Sequence, residues 1–173
     1  MELKPQDSLL ALKYWSLRRE GRESSVRGIA ESIGISASEV SKGTKRLAAS
    51  HIVVERNGSV FAESGALLEW LSYGVRYAYP MESIGYGRGM ATAWNCPVLS
   101  SEVSPPSPAM VWPVPGGEID GMLVKPIHDS IPLACRNDEL LYRAMALVDA
   151  IRSGKPRELK IARRLLSALI KGK

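Results

Sequence analysis

Cysteine and histidine are scarce in this chain, and their scarcity excludes several classes of protein. The 173 residues include two cysteines and two histidines. Cys96 and Cys135 lie in unrelated contexts and neither belongs to a CxxC pair, so we expect free thiols in a reducing compartment. With so few histidines, no Ser-His-Asp or Cys-His arrangement is evident. The sequence therefore predicts no enzyme, no metal site and no cofactor.

Long apolar runs are also missing. No stretch reaches the roughly 18 apolar residues that a membrane-spanning helix needs, and the N-terminus lacks the charged and apolar pattern of a signal peptide. We therefore expect a cytoplasmic protein that does not enter a membrane. The glycine-rich run IGYGRG lacks the GxxxxGK[ST] pattern and a preceding apolar strand, which excludes a phosphate-binding loop.

A helix, a tight turn and a second helix are predicted near the start of the chain. Apolar residues repeat at helical spacing from Val26 to Ile33, which indicates a short helix with one packed face. Gly34 follows, where a residue with positive φ ends a helix without a Cβ clash. Ser36 and Glu39 then have the spacing of a capping box, which predicts the start of the next helix.

The second helix, predicted over residues 37–49, has an apolar face and a polar face. The polar face carries short hydroxyls near the helix N-terminus and cations towards the C-terminus, namely Ser38, Ser41, Lys42 and Lys45, with Arg46 at its edge. Small polar side chains can approach base edges and long cations can reach phosphates, as a recognition helix requires. The alternative is an ordinary solvated face, since cations are favoured near any helix C-terminus.

Two β-rich runs, residues 51–54 and 59–62, follow this helix. They flank Asn57-Gly58, and Asn-Gly between two such runs is typical of a hairpin with a type I′ turn. Arg56 lies beside the predicted tip, where a cation can contact backbone phosphate or the adjacent minor groove.

The stretch VRGIAESIGISASEVSKGTKRLAASHIVVERNGSVFA resembles the winged helix-turn-helix of bacterial transcription regulators, broadly the multiple-antibiotic-resistance-regulator type. The resemblance implies a DNA-binding domain over residues 1–80 and a homodimer that binds a two-fold operator in double-stranded DNA as a repressor. The residues that we expect to contact DNA are Ser36, Ser38, Ser41, Lys42, Lys45, Arg46, Arg56 and Asn57.

Residues 81–135 have a different composition. Glycines alternate in IGYGRGM and prolines gather in SEVSPPSPAMVWPVPGG, which predicts an irregular connecting region. AMVWPV and GMLVKPI indicate two short strands within it. Trp94 and Trp112 either pack this region on the preceding domain or line a pocket for a small-molecule effector.

Residues 136–173 predict a helical hairpin with a basic face. Asp138 can cap its first helix and Pro156 can begin its second. From Arg152 onwards the chain has eight basic residues and one acidic residue, so this segment is more positive than the whole chain at +5. Three hypotheses apply to this basic face: a solvated surface, a second contact to DNA phosphates, and a docking surface for an acidic protein. RGMATAW and ELLYRAMALVDAIRSGKPRELKIARRLL also resemble the C-terminal regions of bacterial winged-helix proteins, which implies no activity.

The predicted fold is mainly α with a small β-hairpin wing, a Gly/Pro-rich segment and a C-terminal helical hairpin. Three hypotheses for its function follow. The first is a sequence-specific regulator that binds double-stranded DNA. The second is a winged-helix adaptor whose basic C-terminal helices dock an acidic partner protein. The third is a regulator that senses a ligand near Trp94 and Trp112.

Overall fold

The chain folds into a mainly helical structure that also contains a two-stranded hairpin and a three-stranded sheet. The computed structural model describes residues 1–99 and 101–173, and about 55% of the chain is helical. The mainly α prediction is therefore confirmed. Across the part of the chain that the structure describes, no helix is both long and apolar enough to cross a membrane.

The first half of the chain contains five helices and the two-stranded hairpin. The three-stranded sheet follows, and the last part of the chain is helical. The helices are α1 Pro5–Arg19, α2 Val26–Ile33, α3 Ala37–Ala49, α4 Ser64–Glu69, α5 Val75–Ala78, α6 Ile131–Arg136, α7 Glu139–Ser153 and α8 Pro156–Lys171. The strands are β1 Val53–Arg56, β2 Ser59–Ala62, β3 Ser83–Ala91, β4 Ala109–Pro113 and β5 Ile119–Val124. A π-helical turn at Trp70–Gly74 joins α4 to α5.

Local caps set the ends of α2 and α3, and the sequence predicts two of them, Gly34 and Ser36. Ser25 Oγ accepts a hydrogen bond from the backbone N–H of Gly28 at 3.0 Å, and Ser36 Oγ accepts one from the N–H of Glu39 at 3.1 Å. Each bond satisfies a donor that the first helical turn leaves free. Gly34 has a φ of 70°, so α2 ends in the left-handed conformation that glycine adopts without strain.

The hairpin β1–β2 forms around the predicted Asn-Gly turn. Asn57 has a φ of 53° and Gly58 a φ of 78°, as a type I′ turn requires. The strands pair antiparallel, with Val53 opposite Ala62. The first strand begins two residues later than predicted, because His51 has a φ of 58° and lies in the left-handed region, outside any strand.

The prediction of an irregular segment at residues 81–135 is wrong for its glycine-rich start, which forms the nine-residue strand β3. This strand pairs antiparallel with β4 and β5, and those two pair parallel with each other, so the three strands close on themselves. A Cβ on Gly89 would overlap the carbonyl oxygen of Trp112, and one on Gly121 would overlap that of Ala109. These glycines therefore mark close backbone approach within a sheet. The two short strands predicted later in the segment are confirmed as β4 and β5.

The C-terminal helical hairpin is confirmed as α7 and α8. Asp138 Oδ1 accepts from the N–H of Leu141 at 2.9 Å and caps α7. Buried side chains occupy nearly every side of α7, which packs against both α1 and α8. One hydrophobic core includes buried residues from all three predicted segments.

A buried ion pair joins α1 to the start of α7. Lys13 Nζ lies 2.9 Å from Asp138 Oδ2, and the two side chains are 8% and 4% exposed. Ser16 Oγ donates to the same carboxylate at 3.3 Å. Burial alone would raise the pKa of Asp138, but the hydrogen bonds from Lys13, Leu141 and Ser16 outweigh burial and hold the pKa below its ordinary value.

We expect Asp138→Asn to lower the free energy of unfolding at pH 7 by about 3–5 kcal/mol, because the Lys13 ammonium would stay buried without its counter-charge. The folded-state pKa of Asp138 is depressed, so its stabilisation is complete above about pH 4 and is lost as the pH falls through the folded-state pKa. Urea denaturation at neutral and acidic pH measures both effects. Glu139→Gln, at an exposed neighbouring acid, is the control. Equal stability of the two variants at pH 7 would contradict this role for Asp138.

Candidate nucleic-acid interface

One side of α3 packs against the protein and the other is open to solvent. Val40, Gly43 and Leu47 are buried. The predicted contact residues on or beside the open side are exposed, namely Ser36, Ser38, Ser41, Lys42 and Lys45. The Ser41 hydroxyl donates to the backbone carbonyl of Ala37 at 3.1 Å, and its oxygen can still accept a hydrogen bond.

The predicted capping box at the start of α3 forms on one side only. Ser36 caps the helix, but Glu39 Oε2 accepts from the side-chain amide of Gln6 at 2.8 Å. Lys42 Nζ lies 4.0 Å from the other carboxylate oxygen. The hydrogen bond from Gln6, with a smaller contribution from nearby cations, lowers the pKa of Glu39. This ionised carboxylate therefore offsets part of the positive charge of Lys42.

The structure corrects the prediction that Arg46 contacts DNA. Its side chain is 7% exposed and that of Asp7, its partner, is 1% exposed. Arg46 Nε donates to Asp7 Oδ2 at 2.7 Å, and Nη2 donates to Oδ1 at 2.8 Å, which makes a bidentate pair. This hydrogen bonding raises the pKa of Arg46 against the opposing effect of burial. The guanidinium holds α3 on α1 and is not free to bind a phosphate, because a buried carboxylate requires its charge.

Two further contacts set the position of α3 on α1. A Cβ on Gly43 would lie 2.8 Å from Leu10 Cδ2 and 2.9 Å from Asp7 Oδ1, so glycine permits the close approach of the two helices. Tyr14 and Thr44 share a hydrogen bond of 2.8 Å between their hydroxyl oxygens. The direction in which the open side of α3 faces therefore depends on α1.

The hairpin presents the other predicted contact residues. Arg56 ends β1 and Asn57 lies in the turn, and both are exposed. The base of the hairpin is held by the Arg18 guanidinium, which lies 4.8 Å from the ring centroid of Phe61. A cation at this distance over an aromatic ring is attracted to it. The hairpin tip is thus exposed while its base is packed on the end of α1.

Part of the predicted basic face at the C-terminus is used inside the protein. Arg152 Nη1 donates to Asp149 Oδ1 at 2.7 Å, and both side chains are buried. Arg163 Nε donates to the carbonyl oxygen of Ser72 at 2.9 Å, and its guanidinium lies 4.4 Å from the ring centroid of Tyr73. The cations that remain exposed are Lys155, Arg157, Lys160, Arg164, Lys171 and Lys173.

The two tryptophans considered as a ligand pocket lie in the core. Trp94 is 2% exposed and Trp112 is 0% exposed. Trp112 Nε1 donates to Asp149 Oδ2 at 2.6 Å, and Thr92 Oγ1 donates to the same oxygen at 2.8 Å. The contact of Trp112 joins the three-stranded sheet to α7 of the C-terminal hairpin, whereas the packing alternative had placed the tryptophans against residues 1–80.

Both cysteines are buried free thiols. Burial raises the pKa of Cys96 and of Cys135, which lowers the thiolate fraction on which cysteine reactivity depends. Within residues 1–99 and 101–173, no group of three or more His, Cys, Asp or Glu side chains is placed to hold a metal ion.

Comparison of the chain with protein-family models, with curated proteins and with solved structures finds no match. The arrangement of α3, the hairpin and the exposed cations is therefore the basis for assigning a function.

We expect Arg46→Met to lower the free energy of unfolding by about 3–5 kcal/mol, because the Asp7 carboxylate would stay buried without a counter-charge. Lys45→Ala removes the preceding, exposed cation and should change stability by less than about 0.5 kcal/mol. The double variant Asp7→Asn/Arg46→Met should recover part of the stability, since neither charge then remains buried. Urea denaturation compares the four proteins. Arg46→Met as stable as Lys45→Ala would rule out this role for the pair.

Proposed function

We propose that residues 1–80 form a winged helix-turn-helix domain and that the protein is a sequence-specific transcriptional regulator that binds double-stranded DNA. In this proposal α2, the turn at Gly34 and α3 form the helix-turn-helix, and the hairpin is the wing. The observation that carries the proposal is the open side of α3. Its hydroxyls and lysines face solvent, while the adjacent arginine, Arg46, holds the opposite side on α1.

The open side of α3 has the shape and chemistry of a major-groove contact. An α-helix with side chains is about 10–12 Å across, close to the roughly 12 Å width of the major groove. Ser38 and Ser41 are short enough to bring hydroxyl groups to base edges. Lys42 and Lys45 extend further and can bind phosphates or guanine acceptor atoms. Together these side chains supply both sequence discrimination and affinity.

The hairpin supplies a second contact in this proposal. Arg56 and Asn57 lie at its exposed end, where they can bind a backbone phosphate or enter the adjacent minor groove. The contact between Arg18 and Phe61 holds the base of the hairpin on α1, which also carries α3. Because both elements are held by one helix, the wing and α3 can bind the duplex as one unit.

The proposed regulator is a homodimer that represses by occupying a two-fold operator. Two copies related by a two-fold axis would place two α3 helices in successive major grooves. Tyr73 is 60% exposed and Tyr77 is 76% exposed, both in the helical segment that follows the hairpin. Exposed aromatic side chains of this kind are typical of subunit contacts.

A second candidate function is an adaptor that docks an acidic partner protein. The observation that favours it is a row of exposed cations along α8, including Arg157, Lys160 and Arg164. These residues belong to a helix distinct from α3. Purification of a stoichiometric acidic partner, together with no shift of a DNA duplex, would support the adaptor and contradict the regulator.

We expect Lys42→Ala/Lys45→Ala to weaken binding to the operator by roughly 10- to 100-fold, because two cations leave the proposed recognition helix. Fluorescence anisotropy with DNA from upstream of the protein's own gene, and with a scrambled duplex, measures this change. The slope of log K against log salt should also fall by about 0.9 for each phosphate that the variant no longer neutralises.

The matched control is Arg157→Ala/Lys160→Ala, which removes the same charge from an exposed part of α8 and should leave operator affinity within about twofold. Operator binding of the Lys42→Ala/Lys45→Ala variant that equals the control would contradict docking through α3. Equal binding of the unaltered protein to operator and scrambled duplexes would contradict sequence specificity.

A further inference from the structure

A groove lined by cations from three separate elements lies beside the hairpin. It encloses about 720 Å³ between the end of α1, the hairpin strands and the end of α8. Its cations are Arg18, Arg19, Arg56, Lys171 and Lys173. Glu63 also lines the groove, but its Oε2 accepts from the backbone N–H of Ala66 at 2.8 Å and caps α4.

The end of α8 is held in place on α1. Trp15 Nε1 donates to the carbonyl oxygen of Ile170 at 3.3 Å. Gly172 has a φ of 71°, and the guanidinium of Arg19 lies against it, in the space that a Cβ would occupy. The two terminal lysines therefore flank a glycine that contacts a cation of α1. Three positive side chains are brought together by this packing.

None of the five cations of this groove forms an ion pair among the described residues. Five cationic side chains against the one carboxylate of Glu63 leave the groove positive, and a cleft of net positive charge concentrates the electrostatic field and attracts an anion. The groove is thus a binding surface for a ligand that carries several negative charges.

We propose that this groove binds backbone phosphates of the DNA duplex beyond the segment contacted by α3. This inference rests on the proposed function. Arg56 carries the argument, because it is both beside the hairpin tip and part of the groove. A DNA strand whose phosphate binds Arg56 continues onto Lys171, Lys173 and Arg19. Such contacts add affinity and fix the position of the duplex, but they carry no sequence information.

The floor of the groove favours phosphates over an acidic protein segment. Trp15 is 4% exposed, and the ring of Phe61 is covered by the Arg18 guanidinium. Protein interfaces depend on aromatic or apolar side chains that fill pockets at their centre. Here the aromatic groups are already covered, and the accessible chemistry is cationic.

The test compares Lys171→Ala/Lys173→Ala with Arg157→Ala/Lys160→Ala. Both variants remove two exposed cations from the last part of the chain, and Lys160 lies roughly 16 Å from Lys171 along the axis of α8. Anisotropy titrations of both variants and the unaltered protein use the operator and the scrambled duplex at several salt concentrations. The unaltered protein and the control should have the same salt slope.

For the groove variant we expect the slope of log K against log salt to fall by about 1.8, since each of two phosphates that it no longer neutralises accounts for about 0.9. The fall should be the same on both duplexes, and the ratio of operator to scrambled affinity should not change. Shortening the operator duplex from its ends should weaken binding by the unaltered protein, because it removes the phosphates that the groove binds. The same shortening should change the affinity of the groove variant little.

A groove variant with the slope of the control would overturn this inference and leave the proposed function standing, provided that Lys42→Ala/Lys45→Ala still weakens operator binding. The disappearance of a co-purifying acidic protein with an unchanged slope would also overturn it. If the unaltered protein bound no duplex, both proposals would fail. Urea midpoints verify folding, and Lys171→Gln/Lys173→Gln replaces the alanine variant if that variant unfolds.

Discussion

Burial of α1 on nearly every side is the constraint on which the rest of the structure depends. Four polar side chains of this helix are inside the protein, namely Asp7, Ser8, Lys13 and Ser16. A buried polar group costs free energy unless it is paired, so each of them requires a partner from another element. The partners are Arg46 of α3, Trp70 of the π-helical turn and Asp138 at the start of α7. The segments that surround α1 are therefore held at specific points as well as by apolar packing.

Burial divides the cations into two groups. Lys13, Arg46 and Arg152 are buried and paired, and their charge is neutralised by a carboxylate a few ångströms away. Lys42 and Lys45 lie on the open side of α3, where a polyanion can reach them. The net charge of +5 therefore says little about where a positive surface lies. That surface is the sum of the exposed cations alone, and it includes residues from both ends of the chain.

The sequence predicts the candidate site well where a feature depends on neighbouring residues and poorly where it depends on distant ones. The cap at Ser36 involves an atom only three residues away, so residue type and spacing are sufficient. The prediction for Arg46 is wrong because its partner is 39 positions away, and no local pattern distinguishes a buried arginine from an exposed one. The prediction of an irregular segment fails at its glycine-rich start for the same reason. Glycine is necessary at position 89 because of the backbone of Trp112, which is distant in sequence.

By itself the sequence determined the two helices α2 and α3, the left-handed turn between them at Gly34, the Asn57-Gly58 hairpin and the C-terminal helical hairpin. Backbone conformation and capping are decided within a few residues, and those residues are contiguous in the chain. Only the tertiary structure decided which cations are free, how three strands close on one another, and that Arg56 lies in one groove with Lys171. Burial and charge pairing join residues that are far apart in sequence. Their outcome depends on how the helices pack around α1.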